Sequence, residues 1–551
     1  MTSNDTDHPR RAVVVGAGIG GSALTLLLAQ AGLQVTLLEK NRFLGGSCAG
    51  YDKQGFQIDF GTHMFSRGPR GPLGEVLRRA GEPRAVEFLR THDIAEVRFQ
   101  APGDPTEIRS IPLPSQLHRF PLLGARMVAA MGLNPIEAAQ VGLMLTRLLT
   151  ISERAADAWN HRTIEEFVAR FTRNPRIAAA LGFLLGLYFV IPPWEVSAGE
   201  AMYCFKRMMR DNWLSYPRGG AKAIPTTYCR LAEGHGAEVR TGVAVRRIVI
   251  EDGCARGVEL DDGSRLDADL VISTSSVRST ALHLCDPARL PADYVESAGR
   301  IKGSQIAIQA KIALDAELVD AGCLMGALGD GIDLMNLDGE TTRTMFGQLV
   351  GGRVPDVVPF YCPVPTNFDA SLAPPGHQLL TVCVAAPTSD VSERDPATDW
   401  DEALMRTMRT IVPGLDDHIL FVDHMSVPWV ERWIGKEFGP AISTAQRPDQ
   451  VGELRPSVTT PVEGLYLAGC GAGGRGVGTE LAADSAMECA ETILDDLGRA
   501  RPQRWDTPRH RVTGFPRVIR HALLPTPVVD RSAAPAPETQ ARPKAEAPLG
   551  C

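Results

Sequence analysis

The feature that most constrains the fold is a glycine-rich turn between two apolar runs near the N-terminus. Residues 11–39 read as a short apolar run, the pattern G-x-G-x-x-G, an apolar segment of helix length and a second apolar run. Gly16 permits a tight turn, Gly18 lets the backbone approach a pyrophosphate, and Gly21 lets the helix pack closely on the strand. The helix directs its N-terminal N–H groups and positive dipole end at the phosphates. The pattern predicts a parallel βαβ unit that binds a dinucleotide.

The second apolar run closes on an acidic residue, which narrows the choice of dinucleotide. Glu39 lies twenty-three residues after Gly16. A carboxylate at this position accepts hydrogen bonds from both ribose hydroxyls and repels a 2′-phosphate, so NADP is disfavoured. FAD and NAD both remain open on this motif alone.

Length and composition limit the class of protein. A chain of 551 residues exceeds the size of one hydrophobic core, which predicts two or three subdomains. The net charge of -8 argues against nucleic acid as a partner. The eleven cysteines include no CxxC pair and the N-terminus has no apolar signal core, so we expect reduced thiols and a cytoplasmic location. No metal site is predicted.

The segment after Glu39 separates FAD from NAD. Where NAD enzymes continue with another βα unit, this chain carries a second glycine turn, with Arg42, Gly45 and Gly46, and then a short hairpin over 49–59. The arrangement resembles the flavin-containing amine oxidase superfamily. In that superfamily the arginine and the glycine pair lie along the pyrophosphate and ribityl chain, so the resemblance implies FAD as the cofactor.

Two later segments extend the resemblance over most of the chain. Residues 215–248 resemble the superfamily's Pro-x-Gly-Gly segment, helix and adenine-contacting strand, and residues 464–493 resemble its flavin-closing motif. The implied fold class is α/β: a doubly wound, Rossmann-like FAD-binding domain with an inserted β-sheet-plus-helix substrate domain and a helical lid. The residues that the resemblance places around FAD are Gly16, Ala17, Gly18, Ile19, Gly20, Gly21, Glu39, Lys40, Arg42, Gly45, Gly46, Gly61, Thr62, His63, Val245, Gly469, Cys470, Gly478, Thr479, Glu480 and Leu481.

The resemblance also divides the chain into segments that contribute to three units. The predicted segments are, in order, a disordered N-terminus (1–10), a first FAD-binding segment (11–95), a helical substrate and lid region (96–214), a second FAD-binding segment (215–285), a substrate domain (286–455), a third FAD-binding segment (456–498) and a tail (499–551). The tail is first arginine-rich and then Ala/Pro-rich, a composition that predicts disorder.

The C-terminal motif holds a second G-x-G-x-x-G pattern that we do not interpret as a nucleotide site. Gly471, Gly473 and Gly476 fit the spacing, but no strand ending in an acid follows at the required distance. Electrons that leave the flavin therefore need an acceptor such as oxygen or a quinone.

The middle of the chain and the C-terminal motif favour one branch of the superfamily. Residues 122–149 and 177–194 are apolar, and either line a cavity for an apolar small-molecule substrate or are simply core. Amine oxidases of the superfamily combine an aromatic pair at the C-terminal motif with a lysine near the flavin. No Trp, Tyr or Phe lies between Ala468 and Leu481, and Lys302 is the candidate lysine. The pattern is closer to the phytoene desaturase and carotenoid isomerase-like branch.

Two residues are candidate catalytic groups. His63 follows the sequence Asp-Phe-Gly-Thr at the turn that the resemblance places at the flavin, where it polarises substrate or flavin, shuttles a proton, or only hydrogen-bonds near the cofactor. Glu480 lies in the first turn of the closing helix, either as a base or as an acid favoured by the helix dipole. Arg475 is expected to pair with Glu480 or with a phosphate.

Two segments leave contact with a membrane open. Residues 177–191 carry no charge, but the run is shorter than the about 20 residues that a spanning helix needs, so it is a buried helix or one that dips into one leaflet. The tail carries seven arginines and one acid between Arg499 and Arg520, which suits anionic lipid headgroups or a loose contact with its own domain. Peripheral association with the inner face of the cell membrane is therefore an open alternative to free solubility.

The leading hypothesis is an enzyme, an FAD-dependent oxidoreductase that acts on an apolar isoprenoid or polyene by hydride or electron transfer at the flavin. Desaturation, redox-neutral isomerisation and saturation stay open, because the cofactor supports each of them and the sequence does not set the direction of electron flow. The alternatives are an FAD-dependent amine oxidase and a flavin-binding scaffold docked through its basic tail.

Overall fold

The computed structural model describes most of the chain, namely residues 10–101, 104–114, 120–211, 214–329, 332–333, 335, 337–388 and 397–506. The predictions of a disordered N-terminus and of a disordered, lipid-binding tail concern residues that lie, but for Arg10 and residues 499–506, outside these ranges.

Strands supply two large sheets and three small ones. In chain order they are β1 (Arg11–Val15), β2 (Gln34–Glu39), β3 (Gly50–Lys53), β4 (Phe56–Asp59), β5 (Phe88–Leu89), β6 (Asp93–Ala101), β7 (Asp104–Pro114), β8 (Tyr216–Pro217), β9 (Glu238–Thr241), β10 (Val245–Glu251), β11 (Cys254–Leu260), β12 (Arg265–Asp267), β13 (Leu270–Ser273), β14 (Ile306–Leu314), β15 (Cys323–Gly329), β16 (Ile332–Asp333), β17 (Val358–Pro363), β18 (Gln378–Ala386), β19 (Ile419–Met425) and β20 (Leu465–Leu467).

Helices cover the sheets and build a separate helical region. In chain order they are α1 (Ile19–Gln30), α2 (Pro72–Ala80), α3 (Phe120–Ala130), α4 (Pro135–Thr150), α5 (Glu153–Asp157), α6 (Ile164–Val168), α7 (Pro175–Phe189), α8 (Ala198–Asp211), α9 (Ala223–Gly234), α10 (Val277–Ser279), α11 (Ala292–Arg300), α12 (Gly339–Val350), α13 (Pro365–Phe368), α14 (Ala397–Ile411), α15 (Val427–Trp429) and α16 (Gly478–Asp496).

A five-stranded parallel sheet forms the centre of what we call the cofactor half. Its strand order is β20-β13-β1-β2-β9, and every neighbouring pair is parallel. The chain extends the sheet to both sides of β1, so a ligand crevice opens at the carboxyl ends of the strands there. Helix α1 packs between α9 and α16, and this cover on all sides explains why it is apolar around its whole circumference. The predicted doubly wound α/β fold is confirmed.

An eight-stranded sheet forms the substrate half. Its order is β19-β14-β18-β17-β15-β6-β7, with β16 paired to β15. Among the described strands of this sheet, β15 and β6 form the one parallel pair. One face carries the apolar core of this half, which includes Ile308, Ile312, Phe360 and Trp400. The other face receives the β3–β4 hairpin of the cofactor half, through contacts such as that between the Phe56 and Phe421 rings.

The prediction that residues 96–214 are helical is wrong at the beginning of this range. Residues 93–101 and 104–114 form β6 and β7, which pair with each other and continue the eight-stranded sheet. Along β6, burial alternates from one residue to the next, which is the period of a half-buried strand. The helices of this region start at α3.

Helices α4 to α8 pack into a core of their own, with Met144, Phe167, Phe189 and Met202 at its centre. The uncharged run over 177–191 falls largely on α7, whose Phe183 and Phe189 are buried, so the buried-helix alternative agrees with the packing. Within the described ranges, no helix combines the length and apolarity that crossing a membrane requires.

Candidate cofactor and active site

The candidate site begins at the N-terminus of α1, which suits an anion. Gly18 is the N-cap residue and offers no side-chain cap, so the first N–H groups of α1 face the crevice. The second glycine turn lies against it, because the Gly45 N–H donates to the Ala17 carbonyl over 3.0 Å and Gly18 forms a parallel bridge with Gly45. The two glycine turns, predicted separately from the sequence, thus form one cradle.

Backbone atoms form the walls of this cradle, which fits a pyrophosphate. A Cβ atom on Gly21 would lie 1.9 Å from the Gly16 carbonyl oxygen, and one on Gly20 would lie 2.8 Å from the Cα of Gly469. A Cβ atom on Gly18 would instead meet nothing nearer than the Gly45 carbonyl oxygen at 3.9 Å. The cradle is therefore closed where helix and strand meet and open on the side where a phosphate would lie.

Glu39 is buried at the end of β2, beside the first glycine turn. Its carboxylate accepts hydrogen bonds from the N–H groups of Ala17 and Asn41, each over 2.9 Å. The Val243 N–H donates to the Glu39 carbonyl over 2.9 Å, which brings the start of β10, and with it Val245, to the same edge. The Asn41 side-chain amide donates a third hydrogen bond to the Glu39 carboxylate, over 3.0 Å. A carboxylate has about four acceptor sites, so Glu39 retains about one for a ribose hydroxyl.

Lys40 and Arg42 lie outside the cradle. The Lys40 ammonium donates to the Arg432 carbonyl over 2.7 Å and ties the end of β2 to the substrate half. Burial lowers the pKa of Lys40, and Glu39 opposes that shift. Arg42 is exposed and lies against the turn at Gly242 that follows β9.

Gly61 and Thr62 form the turn between the cradle and His63. The Gly61 N–H donates to the Ser47 carbonyl over 3.1 Å, and the same oxygen would lie 3.4 Å from a Cβ atom on Gly61. Thr62 hydrogen-bonds with the buried Cys48 thiol. The turn is therefore fixed to the second glycine turn.

The C-terminal motif closes the cradle from the other side. The Gly469 N–H donates to the Ser485 hydroxyl over 3.0 Å. The Cys470 thiol lies 3.3 Å from the Ser443 hydroxyl; burial raises the pKa of this thiol, but Lys436 and Ser443 outweigh burial and lower it. Helix α16 begins at Gly478, where a Cβ atom would meet open space, and continues through Thr479 and the buried Leu481.

Glu480 lies in the first turn of α16, as the sequence predicts, and its carboxylate is engaged. Its Oε1 atom accepts hydrogen bonds from the Ser66 hydroxyl and the Arg67 N–H, each over 2.9 Å, and its Oε2 atom lies 3.9 Å from Arg67 Nη1. Burial raises the pKa of Glu480, and Arg67 opposes the shift. These contacts fasten the chain after His63 to α16, which favours a holding role over that of a free base.

The expected pairing of Arg475 with Glu480 is wrong. The Arg475 guanidinium lies 2.8 Å from Asp157 and 3.5 Å from Glu200, and it stacks over the Tyr203 ring at 4.1 Å. The reason is that α8 presents Glu200 as a fully buried carboxylate next to the glycine-rich loop. Arg475 therefore joins the helical region to the cofactor half.

His63 is buried, and its partners come from a strand that the sequence analysis did not select. Its Nε2 atom lies 2.9 Å from the Gln309 side-chain oxygen and 3.3 Å from Lys311 Nζ. Lys311 also donates to Gln309 and, over 3.1 Å, to the Phe60 carbonyl. Burial and the Lys311 ammonium lower the pKa of His63 well below its ordinary value. His63 is therefore a neutral imidazole near pH 7, so it does not act as a cationic proton donor at that pH.

Asp59, at the end of β4, balances the buried lysine. Its carboxylate accepts hydrogen bonds from the Tyr216 hydroxyl and, over 3.0 Å, from the Ala221 N–H. Burial raises the pKa of Asp59 to about 6 and lowers that of Lys311 to about 8. The sequence held a signal for this cluster, because Gln309 and Lys311 interrupt an apolar strand two residues apart and so share one face.

Aromatic side chains reach this turn from the substrate half, not from the C-terminal motif. The Phe60 ring contacts the Trp429 ring edge to face, with 4.6 Å between centroids. Lys302 does not join the cluster, because it is exposed and only its backbone is held, by the Gln450 side chain. The buried lysine beside the turn is Lys311.

The two apolar stretches of the middle differ in burial: residues 177–194 are mostly packed core, whereas residues 123–149 are mostly half-buried or exposed. Ile164, Gly182, Pro193 and Trp194 help to line a cavity of about 50 Å³ between α6, α7 and α12. Small-molecule sites typically have volumes of about 300–1,000 Å³, so a cavity of this size is too small for a polyene. We assign no substrate to it.

Comparison with known proteins identifies a family whose profile matches most of the chain. The profile of the family described as "Flavin containing amine oxidoreductase" matches residues 22–494. That range includes the helix of the first glycine motif, the second glycine turn, the His63 cluster and the C-terminal motif.

Two relatives and one solved structure are similar over most of the chain. A zeta-carotene-forming phytoene desaturase of Myxococcus xanthus is 26% identical over 84% of this chain and 89% of its own. A chloroplastic prolycopene isomerase of Daucus carota is 22% identical over 90% and 87%. The crystal structure of an oxidoreductase from Methanosarcina mazei superimposes with a TM-score of 0.65 at 24% identity and covers 87% of this chain and 100% of its own.

Proposed function

The chain belongs to the flavin containing amine oxidoreductase family and is a flavin-dependent oxidoreductase, and we propose that it uses FAD to act on an apolar isoprenoid or polyene. The observation that carries this proposal is the breadth of the similarity to carotenoid enzymes. It covers 84% of this chain and 89% of the Myxococcus xanthus desaturase, so it includes the substrate half as well as the cradle.

Support for FAD over a smaller flavin comes from the ribose end of the cradle. FMN lacks the adenosine half, whereas Glu39 and the edge at Val243 lie where a second nucleotide needs partners. Heat-released cofactor, identified by mass, is expected to be FAD. Release of FMN, or failure of apoprotein to take up FAD, would contradict this assignment.

When bound, the flavin supplies hydride or electron transfer, and this chain's residues orient the partners and exclude water. His63 offers a neutral imidazole, Glu480 and Arg67 hold the turn that carries it, and the Phe60 and Trp429 rings give that turn an apolar side. None of these buried groups supplies a free charge to hold an ammonium ion, which favours an uncharged substrate over an amine. Oxygen or a quinone is the proposed electron acceptor.

The substrate is tested by product analysis. The holoprotein is incubated with C40 polyenes in detergent or vesicles and with a panel of primary and secondary amines, and products are separated and weighed. Loss of hydrogen from a polyene means desaturation, gain means saturation, and an unchanged mass with altered retention means isomerisation. Turnover of amines alone would replace the proposal with an amine oxidase, and a flavin that never turns over would support a scaffold.

We also propose that this enzyme works in the cytoplasm and touches a membrane through α4. Ile136 and Leu143 lie one heptad apart on α4 and are 71% and 63% exposed, and the exposed Arg147 follows on the same stripe. An apolar stripe flanked by arginine suits the interface of an anionic bilayer.

Vesicle sedimentation tests this surface. The double variant Ile136→Ser with Leu143→Ser is expected to lose binding to vesicles of mixed neutral and anionic phospholipid, with its flavin retained. Leu454→Ser, at a leucine 54% exposed in the loop before β20, is the matched control and is expected to bind as before. Equal binding by the double variant would contradict the assignment.

A further inference from the structure

The residues around His63 set the protonation of its ring as well as the position of its side chain. Gln309 and Lys311 point from the middle of β14 to the face that receives the β3–β4 hairpin, whereas Ile308, Ala310 and Ile312 point into the apolar core. A lysine and a glutamine at the centre of a sheet are costly to bury unless they have partners. Both have them, and the partners belong to the turn that carries His63.

The hydrogen bonds decide which ring nitrogen of His63 carries the proton. A lysine ammonium only donates, so the Gln309 atom that contacts Lys311 is its oxygen. The same oxygen lies 2.9 Å from His63 Nε2, and an oxygen lone pair facing a nitrogen lone pair at that distance would repel it. Lys311 Nζ is farther from Nε2, at 3.3 Å, and makes its shorter contacts with Gln309 and, over 3.1 Å, with the Phe60 carbonyl. The nearer Gln309 oxygen therefore decides the tautomer: Nε2 donates its hydrogen to Gln309, and Nδ1 bears the lone pair.

Burial, and after it the Lys311 charge, keeps the ring neutral. The titratable groups that act on Lys311 are Cys383 from β18, Asp59 from β4 and Asp423 from β19. Asp59 and Asp423 favour the charged lysine, while burial opposes it, so Lys311 titrates at a pKa of about 8 and is a cation below that pH. A cation 3.3 Å from the ring disfavours a second positive charge there.

The remaining nitrogen points to the other side of the ring. His63 is 5% exposed, and its Nδ1 atom has no hydrogen-bond partner among the described residues. A buried acceptor without a partner is unfavourable by itself, which indicates that a ligand completes it. The turn that holds it is attached through Gly61 and Ser47 to the glycine cradle.

We propose that Gln309 and Lys311 are positioning residues that hold His63 as a neutral imidazole, protonated on Nε2, with its Nδ1 lone pair presented to the flavin. Nδ1 then accepts a hydrogen bond from a flavin N–H, and the reduced ring offers one such group more than the oxidised ring. The inference rests on the proposed use of FAD but not on the identity of the substrate.

Side-chain NMR of the twelve histidines in the flavin-loaded protein tests this, with the His63 signal assigned by its loss in His63→Gln. The wild-type signal is expected to show the Nε2-protonated tautomer and no titration from about pH 5.5 to about pH 8. In Lys311→Met the His63 pKa should rise toward about 6.5, and in Gln309→Leu the tautomer should shift toward Nδ1–H.

Two further variants keep the test decisive. Lys311→Arg retains the cation and should leave His63 neutral, in case the methionine variant folds poorly. Lys53→Met is the matched control, because Lys53 pairs with Asp423 on the same face of the sheet but does not contact His63. A wild-type His63 that titrates normally, or an Nδ1–H tautomer in the wild type, would overturn the tautomer assignment.

The flavin spectrum tests the other half of the proposal without any substrate. His63→Gln and Gln309→Leu are each expected to shift the visible absorbance bands of the bound flavin, and Lys53→Met is not. Unchanged bands in both variants would show that Nδ1 does not face the flavin. Because no polyene is added, this result is independent of the proposed substrate.

Discussion

The cofactor half and the substrate half define the site with different atoms. In the cofactor half the walls are backbone, since Gly20 and Gly21 are packed so closely that a single methyl group would overlap a neighbouring backbone atom. In the substrate half the contacts come from side chains, such as Gln309 and Lys311, set into the otherwise apolar strand β14. A site built from backbone atoms can be recognised in the sequence by the spacing of its glycines. A site built from side chains shows only as a polar residue in an otherwise apolar strand.

The largest expected effect comes from Gly21→Ala, in the cofactor half. The new Cβ atom would lie 1.9 Å from the Gly16 carbonyl oxygen, so strand and helix must separate. We expect flavin content near zero and a loss of more than about 3 kcal/mol of unfolding free energy. Flavin absorbance and chemical denaturation measure both.

Gly299→Ala is the matched control, because a Cβ atom there meets nothing within 4 Å. It should keep its flavin and its stability. If Gly21→Ala behaved like Gly299→Ala, the backbone account of the cradle would fail.

The next largest expected effect is the pH dependence of stability that Lys311 causes in the substrate half. Its pKa of about 8 lies below its ordinary value of 10.5, so the unfolded chain holds the proton more tightly than the folded chain. Lys311 therefore destabilises the fold at low pH, and stability returns as pH rises from about 8 to 10.5. The unfolding free energy of the wild type minus that of Lys311→Met should rise by up to about 3 kcal/mol over this window.

Taking the difference between the two proteins removes the titration of the buried cysteines, which both share. Denaturant unfolding at several pH values gives the measurement. A difference that stays flat, or falls, over the same window would mean that Lys311 is not a buried cation.

The cofactor half can be predicted from the sequence more fully than the substrate half. The spacing of Gly16, Gly18 and Gly21 and the position of Glu39 predict the parallel sheet and the cradle, because each follows from local backbone geometry. The cluster at His63 joins residues about 250 positions apart along the chain, which meet only because the turn after β4 packs on the face of the sheet that contains β14. No local pattern encodes that distance.

The partners of Arg475 and the strands at 93–114 were missed for related reasons. Arg475 pairs with residues of the helical region that approach it only in the folded chain. The alternation along β6 was a local signal, but the long apolar helices that follow it dominated the interpretation of the region.

Glu480→Gln should have a moderate effect at the junction between the halves. The amide keeps an oxygen for Ser66 and the Arg67 N–H but loses the charge that faces the Arg67 guanidinium. We expect a loss of about 2 kcal/mol of unfolding free energy, with the rate of flavin reduction by substrate little changed. Glu453→Gln, at an exposed glutamate, is the control. Complete loss of reduction in a stable Glu480→Gln protein would restore its role as a base.

The smallest effect concerns the end of α7. Val190 adopts the left-handed conformation, with φ at 55°, which is strained for a β-branched residue. Val190→Gly should raise the unfolding free energy by about 1 kcal/mol. Val350→Gly, at the last residue of α12, should lower it. Loss of stability in both variants would argue that the Val190 side chain contributes more by packing than its backbone loses by strain.

The most direct test of the account is anaerobic mixing of the flavin-loaded protein with apolar polyenes and, separately, with amines, while the visible absorbance of the oxidised flavin is followed. The account predicts bleaching by a polyene and none by the amines, with His63→Gln slower than the wild type. Bleaching by amines alone would contradict it, because the apolar turn and the neutral His63 would then serve a different substrate.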